Sequence, residues 1–252
     1  MATRLERAAR LVHESHRCVA LTGAGISTPS GVPDFRSTSG LWRDHDPLEV
    51  ASQEAFRHHP DQFFDWVRPL AAAILHAEPN SAHYSLARLE QARRLAGIVT
   101  QNIDGLHRRA GSTRVCEIHG NLRRATCVRC FHHVEAESRI HAFVASGAAP
   151  RCDDCGGVLK PDVVLFGEAL PHSAVKEAES LFANADLVLV VGSSLEVYPA
   201  AALPLPALRG GARMIIVNRG STYLDDEADV VLTGDAAELL PALADEVLGA
   251  RP

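Results

Sequence analysis

The sequence predicts a doubly wound α/β sheet that carries two insertions, one helical and one built around four cysteines. Three observations predict it. About six short apolar runs, rich in Val, Ile and Leu, alternate with helical patterns. The runs lack polar alternation, as in Leu187-Val188-Leu189-Val190-Val191, which fits parallel strands covered on both faces. Two Cys-x-x-Cys pairs interrupt the series, Cys127/Cys130 and Cys152/Cys155. Right-handed crossovers are expected throughout.

The bulk numbers bound the function classes. The chain has 252 residues, 46% hydrophobic and 22% charged, which suits one sizeable core with a small insert. A net charge of −6 gives no support to a nucleic-acid partner. The basic residues are nearly all Arg; only Lys160 and Lys176 are Lys. Residues 1–17 lack the apolar stretch of a secretory signal, and the apolar runs are far short of a membrane span. A cytoplasmic protein with reduced thiols, off the membrane, is therefore expected.

In chain order, Leu5, Ala8, Ala9 and Val12 recur at helical spacing. Cys18-Val19-Ala20-Leu21-Thr22 reads as the first strand, and Gly23-Ala24-Gly25-Ile26-Ser27 follows it. Glycines there let the chain turn tightly and bring free N–H groups to a phosphate. A dinucleotide fingerprint would place a third Gly at position 28, which is Thr28, and no P-loop pattern exists. A structural strand-to-helix turn is as good a reading of that spacing. Residues 23–33 look like a long irregular loop, the kind that tends to be functional. Asp34 and Arg36, just beyond it, suit ribose or phosphate, but on these residues alone an ion pair within the loop is the favoured reading.

Residues 40–80 form a helical insert with the apolar set Phe63, Phe64, Trp66, Val67 and Leu70; Pro69 should kink or divide its helix. Asn80 or Ser81 caps a helix over about residues 82–94, on which His83 reads as a packing residue. The runs 95–99 and 114–116 then read as strands. Past their ends lie Thr100-Gln101-Asn102-Ile103-Asp104-Gly105 and Glu117-Ile118-His119-Gly120. An amide, a carboxylate and an imidazole at the carboxyl edge of such a sheet can orient a sugar and move a proton. Each has a plainer reading: Asn102 as a turn residue, Asp104 as a cap for 105–110, His119 as one of 13 histidines.

Twenty-one residues separate the two cysteine pairs, and Gly156-Gly157 after the second permits a tight knuckle. Four thiolates suit tetrahedral Zn²⁺ with no open position, so the site should be structural. Cys18 and Cys116 read as ordinary buried thiols. Lys160 to Glu168 is expected to return to the main domain, followed by a helix over 172–184. The strand 187–191 ends in Gly192-Ser193-Ser194, the strand 213–217 in Asn218-Arg219, and the strand 228–232 in Gly234-Asp235-Ala236 ahead of a final helix over 236–248.

Together, Gly23-Ala24-Gly25-Ile26-Ser27, Gly31-Val32-Pro33-Asp34-Phe35-Arg36, Thr100-Gln101-Asn102-Ile103-Asp104, His119-Gly120, the two Cys-x-x-Cys pairs, Phe166-Gly167-Glu168 and Gly192-Ser193-Ser194 resemble the sirtuin family. The resemblance runs in unbroken order from about residue 5 to residue 248. It implies a Rossmann-like doubly wound parallel sheet (1–39, 81–119 and 159–252), a helical module (40–80) and an inserted small zinc-ribbon domain (120–158). It implies an NAD-dependent protein-lysine deacylase that releases nicotinamide and O-acyl-ADP-ribose, with NAD as co-substrate and Zn²⁺ structural.

Carried over by position, the resemblance gives His119 as the general base, with Asn102 and Asp104 beside it. Gly23, Ala24, Gly25, Asp34, Phe35, Arg36, Gln101, Asn102, Ile103, Asp104, Gly192, Ser193, Ser194, Asn218, Arg219 and Ala236 would meet NAD. Cys127, Cys130, Cys152 and Cys155 would hold zinc. Relatives that remove acidic acyl groups carry Tyr-x-x-Arg in the helical module; here that stretch is Val67-Arg68-Pro69-Leu70, so neutral acyl groups, acetyl first, are expected. Acyl-lysine proteins or peptides would be the partners, and the chain is expected to act as a monomer. Protein mono-ADP-ribosyl transfer and a non-catalytic NAD-sensing module are the alternatives.

Overall fold

The computed structural model describes residues 2–35 and 40–249. Helix α1 (Arg4–Glu14) begins in a capping box, in which Thr3 and Glu6 satisfy each other's backbone N–H. Strand β1 (Cys18–Thr22) follows, and the chain then passes through two short 3-10 turns, 24–26 and 28–30. The helical insert holds α2 (Pro47–Val50), α3 (Gln53–His58) and α4 (Pro60–His76). Pro69 does not divide α4. Its missing N–H costs one helical bond, but the buried face Phe63, Phe64, Val67, Leu70, Ala71 and Ile74 spans it on both sides and holds the helix in one piece.

Next come α5 (Ser81–Gln91), β2 (Gly97–Thr100), α6 (Leu106–Arg109) and β3 (Val115–Glu117). The second insertion comprises β4 (Gly120–Cys127), β5 (His133–Glu135), α7 (Glu137–Ser146) and β6 (Leu159–Val163). The chain closes with α8 (His172–Phe182), β7 (Leu187–Val191), α9 (Leu205–Arg209), β8 (Arg213–Asn218), β9 (Val230–Thr233) and α10 (Ala236–Leu248).

Six strands form one parallel sheet in the order β3-β2-β1-β7-β8-β9. Residues of each strand alternate between two cores. Ala20, Ile98, Leu189 and Ile215 face α1, α5 and α10, whereas Val19, Leu21, Val99, Val188 and Ile216 face α8 and α9. Both faces are covered, which is why the strand sequences show no polar alternation. The strand order reverses between β1 and β7, and a crevice opens at the carboxyl edge above the loops that follow these two strands.

The smaller sheet is antiparallel, β5-β4-β6. Leu159–Val163 pairs there with β4 and not with the main sheet, which corrects its expected return to the large domain at residue 159. Its alternating burial, with Leu159, Pro161 and Val163 inward, is the signature of a one-sided antiparallel strand. A third core joins this sheet to α4 and α7 through Phe64, Val67, Leu70, Phe143, Leu159 and Val163. Among the described residues no helix is long and apolar enough to cross a membrane.

Candidate active site

Two glycines in contact, Gly25 and Gly192, set the backbone of the site. A Cβ on Gly25 would lie 2.9 Å from Gly192 Cα, and one on Gly192 (φ +59°) would lie 2.3 Å from Ile26 N. The loops after β1 and β7 therefore cross in contact, which only glycine permits. The N–H groups of Gly23, Gly25 and Gly192 are spent on this crossing, donating to Val191 O, Gly192 O and Val217 O. The expectation that glycine N–H groups face a phosphate is thus corrected. Among the described residues the backbone N–H groups of Ala24, Ser193 and Ser194 have no recorded acceptor, and all three residues line the cleft. After His119, Gly120 (φ +75°) is needed because a Cβ would collide with Asp162 O at 1.9 Å.

The cleft above this crossing has a volume of about 800 Å³. It is lined by every residue expected to meet NAD except two. Arg36 lies outside the described residues. Asp104 lines an adjoining hollow of about 20 Å³, together with Ser27, Phe35 and Asn102. Asp104 Oδ1 also accepts from the N–H of Leu106, the first residue of α6, at 2.9 Å, although the N-cap position itself is Gly105.

Each polar side chain at the floor is anchored at one end. Asn102 Nδ2 donates to Gly23 O at 3.1 Å and Ser27 Oγ at 3.0 Å, which fixes the orientation of its amide. Gln101 Nε2 donates to Ser193 Oγ at 3.0 Å. His119 Nδ1 lies 3.0 Å from Gln101 O. A carbonyl only accepts, so Nδ1 carries the proton and Nε2 is the basic nitrogen. Burial holds the His119 pKa below the ordinary imidazole value, partly offset by that carbonyl, so the ring is neutral and able to take a proton at neutral pH. Past the end of β8 Arg219 pairs with Asp235, the N-cap of α10, and Asn218 Nδ2 donates to Gly220 O.

Ser27 and His83 belong to this network, although sequence reasoning left Ser27 without a role and His83 as packing. Ser27 Oγ donates to Asp104 Oδ2 at 2.7 Å and lies 3.4 Å from His83 Nε2. Burial lowers the His83 pKa to about 4 and raises that of Asp104, although Leu106 N–H and Ser27 hold the latter back. His107 is buried against His83 with its Nε2 2.9 Å from Thr22 Oγ1. The sequence offered one signal for this group, the polar residues Gln101, Asn102 and Asp104 just past the end of β2.

The far wall is apolar. Phe63, Trp66, Val67 and Leu70 come from α4, with Trp42 stacked on Trp66 and Ala51 and Phe166 also lining the cleft. Arg68 points away, donating to Val144 O at 3.0 and 2.8 Å and to Ala145 O at 3.2 Å at the end of α7.

In the small domain, Cys127, Cys130, Cys152 and Cys155 bring four Sγ atoms within 4.8 Å of one another, with pairs at 3.5 and 3.7 Å. Zn–S bonds of about 2.3 Å in a tetrahedron place sulfurs about 3.8 Å apart, so the cluster fits Zn²⁺. Cys18 and Cys116 are buried thiols whose pKa values burial pushes to about 12.

Comparison with known proteins agrees with this architecture. A Sir2 family model matches residues 23–199. An NAD-dependent protein deacetylase of Pyrobaculum aerophilum is 44% identical over 97% of this chain and 95% of its own. An NAD-dependent protein deacetylase of Thermotoga maritima is 43% identical over 94% of this chain and 95% of its own. A solved Sir2 enzyme superposes with a TM-score of 0.93 at 44% identity, covering all of both chains. A Sir2 complex with a p53 peptide and NAD+ superposes at 0.88 with 40% identity, covering 99% of this chain and 100% of the other.

Proposed function

The chain belongs to the Sir2 family, and from that premise we propose that it removes acetyl groups from protein lysine side chains with NAD+ as co-substrate. One observation carries the reading: a neutral imidazole, anchored through Nδ1, shares one cleft with the amide of Asn102 and with unpaired loop N–H groups. NAD+ supplies an anomeric carbon that bears nicotinamide, a good leaving group. Ala24, Ser193 and Ser194 offer N–H donors for its phosphates, and Asn218, Arg219 and Ala236 flank the adenosine side. Gln101, Asn102 and Ile103 position the nicotinamide ribose. His119 accepts a proton from a ribose hydroxyl at Nε2. The apolar wall excludes water, so that the acyl oxygen meets the sugar in its place. Asp104 acts through Ser27 and Asn102. Zinc stays with the ribbon, away from the reaction.

Val67 and Leu70 on the wall, with Arg68 engaged by the end of α7, favour neutral acyl groups. The chain is read as a cytoplasmic monomer. Nicotinamide release, measured with and without an acetyl-lysine peptide, tests the reading. Release should require the peptide, track deacetylation and fall at least about 100-fold in His119→Ala. Peptide-independent release would point to ADP-ribosyl transfer, and succinyl-lysine turnover equal to acetyl-lysine turnover would refute the neutral-acyl preference.

A further inference from the structure

Residues 163–168, from the last residue of β6 onward, all line the cleft. Val163 and Leu165 also pack in the core shared with α4, so this segment continues the apolar wall. Its backbone is tied on two sides. Val164 N–H donates to His119 O at 2.9 Å, Phe166 N–H donates to Ala51 O at 2.9 Å, and Phe166 O accepts from Gln53 N–H at 2.8 Å. The apex is a β-turn, closed by Glu168 N–H to Leu165 O at 3.0 Å with Gly167 at φ +83°. A pair of side chains closes the base. Glu168 Oε2 accepts from Leu165 N–H at 2.9 Å and from Lys160 Nζ at 3.1 Å, and Lys160 Nζ also donates to Val163 O at 2.8 Å. Each of the two side chains is only 19% exposed, so solvent screens the pair weakly. Leu165 is buried, and its N–H is met by this carboxylate, which the ammonium in turn holds in place.

We infer that Lys160 and Glu168 are positioning residues: the pair clamps the segment 163–168 in the shape that receives the acyl-lysine peptide, and so sets peptide affinity while leaving NAD+ affinity alone. The inference rests on the deacylase reading and adds two residues to its peptide side. Both act through the backbone of the segment and not on the reacting atoms. Without the ammonium, the carboxylate is left charged and partly buried, and it regains water only by letting go of Leu165 N–H. The two ligands are separable because the N–H donors offered to NAD+ sit on the loops after β1 and β7. The clamp holds the wall that shares its core with α4.

Calorimetry on the zinc-loaded chain reads the two ligands separately. Lys160→Met and Glu168→Gln should each weaken binding of an acetyl-lysine peptide roughly ten-fold, the worth of one charge-assisted hydrogen bond. The double variant should lose no more than either alone, because the two side chains work as one unit. NAD+ affinity should not change, and Lys160→Arg, which keeps the charge, should recover most of the peptide affinity. Unchanged peptide affinity in Lys160→Met, fully additive losses, an equal loss for peptide and NAD+, or no recovery in Lys160→Arg overturns the inference. A wild-type chain that neither binds nor deacetylates acetyl-lysine overturns the deacylase reading instead. Amide hydrogen exchange then decides the clamp by itself: Leu165 should exchange roughly ten-fold faster in Lys160→Met than in wild type, and equal rates overturn it.

Discussion

The cysteine knuckle and the polar cleft are both clusters of reactive groups, built on opposite plans. In the knuckle, four Sγ atoms face one another within 4.8 Å and every ligand is used inward. In the cleft, Gln101, Asn102 and His119 each commit one end to the scaffold. Gln101 holds Ser193, Asn102 holds Gly23 and Ser27, and His119 holds Gln101 O. A closed cluster stores folding free energy, whereas a half-committed one stores orientation. The two should therefore fail differently.

Zinc removal is the largest expected effect. Structural zinc contributes about 10–16 kcal/mol in small domains at neutral pH, so a strong chelator, or Cys152→Ser, should unfold the β4–β6 sheet. Because that sheet shares a core with α4, the apolar wall should go with it and deacetylation should cease. Zinc content, proteolysis between residues 120 and 163, and NAD+ binding by calorimetry would follow the two regions separately. Unchanged proteolysis of the chelated chain would erase the contrast. His119→Ala is the opposite case. The fold should persist while turnover drops about 10²–10⁴-fold. In the wild type the acid limb of kcat/KM should lie below pH 6.5, since burial lowers the His119 pKa. An acid limb above pH 6.5 would argue against His119 as the base.

The same difference explains how much of each region could be read in the sequence. The knuckle was legible by itself, because metal geometry dictates short local spacing and Cys127, Cys130, Cys152 and Cys155 all converge. The sheet was legible too, since burial on both faces leaves continuous apolar runs. No single cleft motif was sufficient, because Gly23, Asn102, His119 and Gly192 come from four different strand ends and meet only through the strand order. Leu159–Val163 was misplaced because a short half-buried strand looks alike in either sheet. Ser27 and His83 went unread because their partnership spans 56 residues of sequence.

A smaller effect separates His119 from its buried neighbour. Burial lowers the pKa of His83 to about 4, against about 6.5 for an exposed imidazole. Below pH 6.5 the unfolded chain takes up a proton that the folded chain refuses, so stability is intact above that pH and lost as pH falls toward 4. The loss should reach about 3 kcal/mol by pH 4. His107, also lowered by burial, works in the same direction, while Asp104, raised by burial, works against it. Denaturant unfolding at pH 7.5 and pH 5 isolates His83 when wild type is compared with His83→Asn. The variant should lose about 2 kcal/mol less than wild type over that interval. Equal losses would mean that His83 is not held neutral.

The smallest effect is the most informative about the cleft. Ser27→Ala deletes one oxygen that gives Asp104 a donor, receives Asn102, and lies beside His83. Its stability cost should be about 1–3 kcal/mol, the usual range when buried partners lose a hydrogen bond. Its catalytic cost should act through Asn102, whose amide would then be held by Gly23 O alone. A double-mutant cycle of Ser27→Ala with Asn102→Ala reads this directly. If the serine orients the amide, the two losses in kcat/KM should overlap, with a coupling of about 0.5–3 kcal/mol. Strict additivity would mean that Asn102 is positioned by β2 and the Gly23 carbonyl without help. The cleft would then be less a connected network than a set of separately anchored groups.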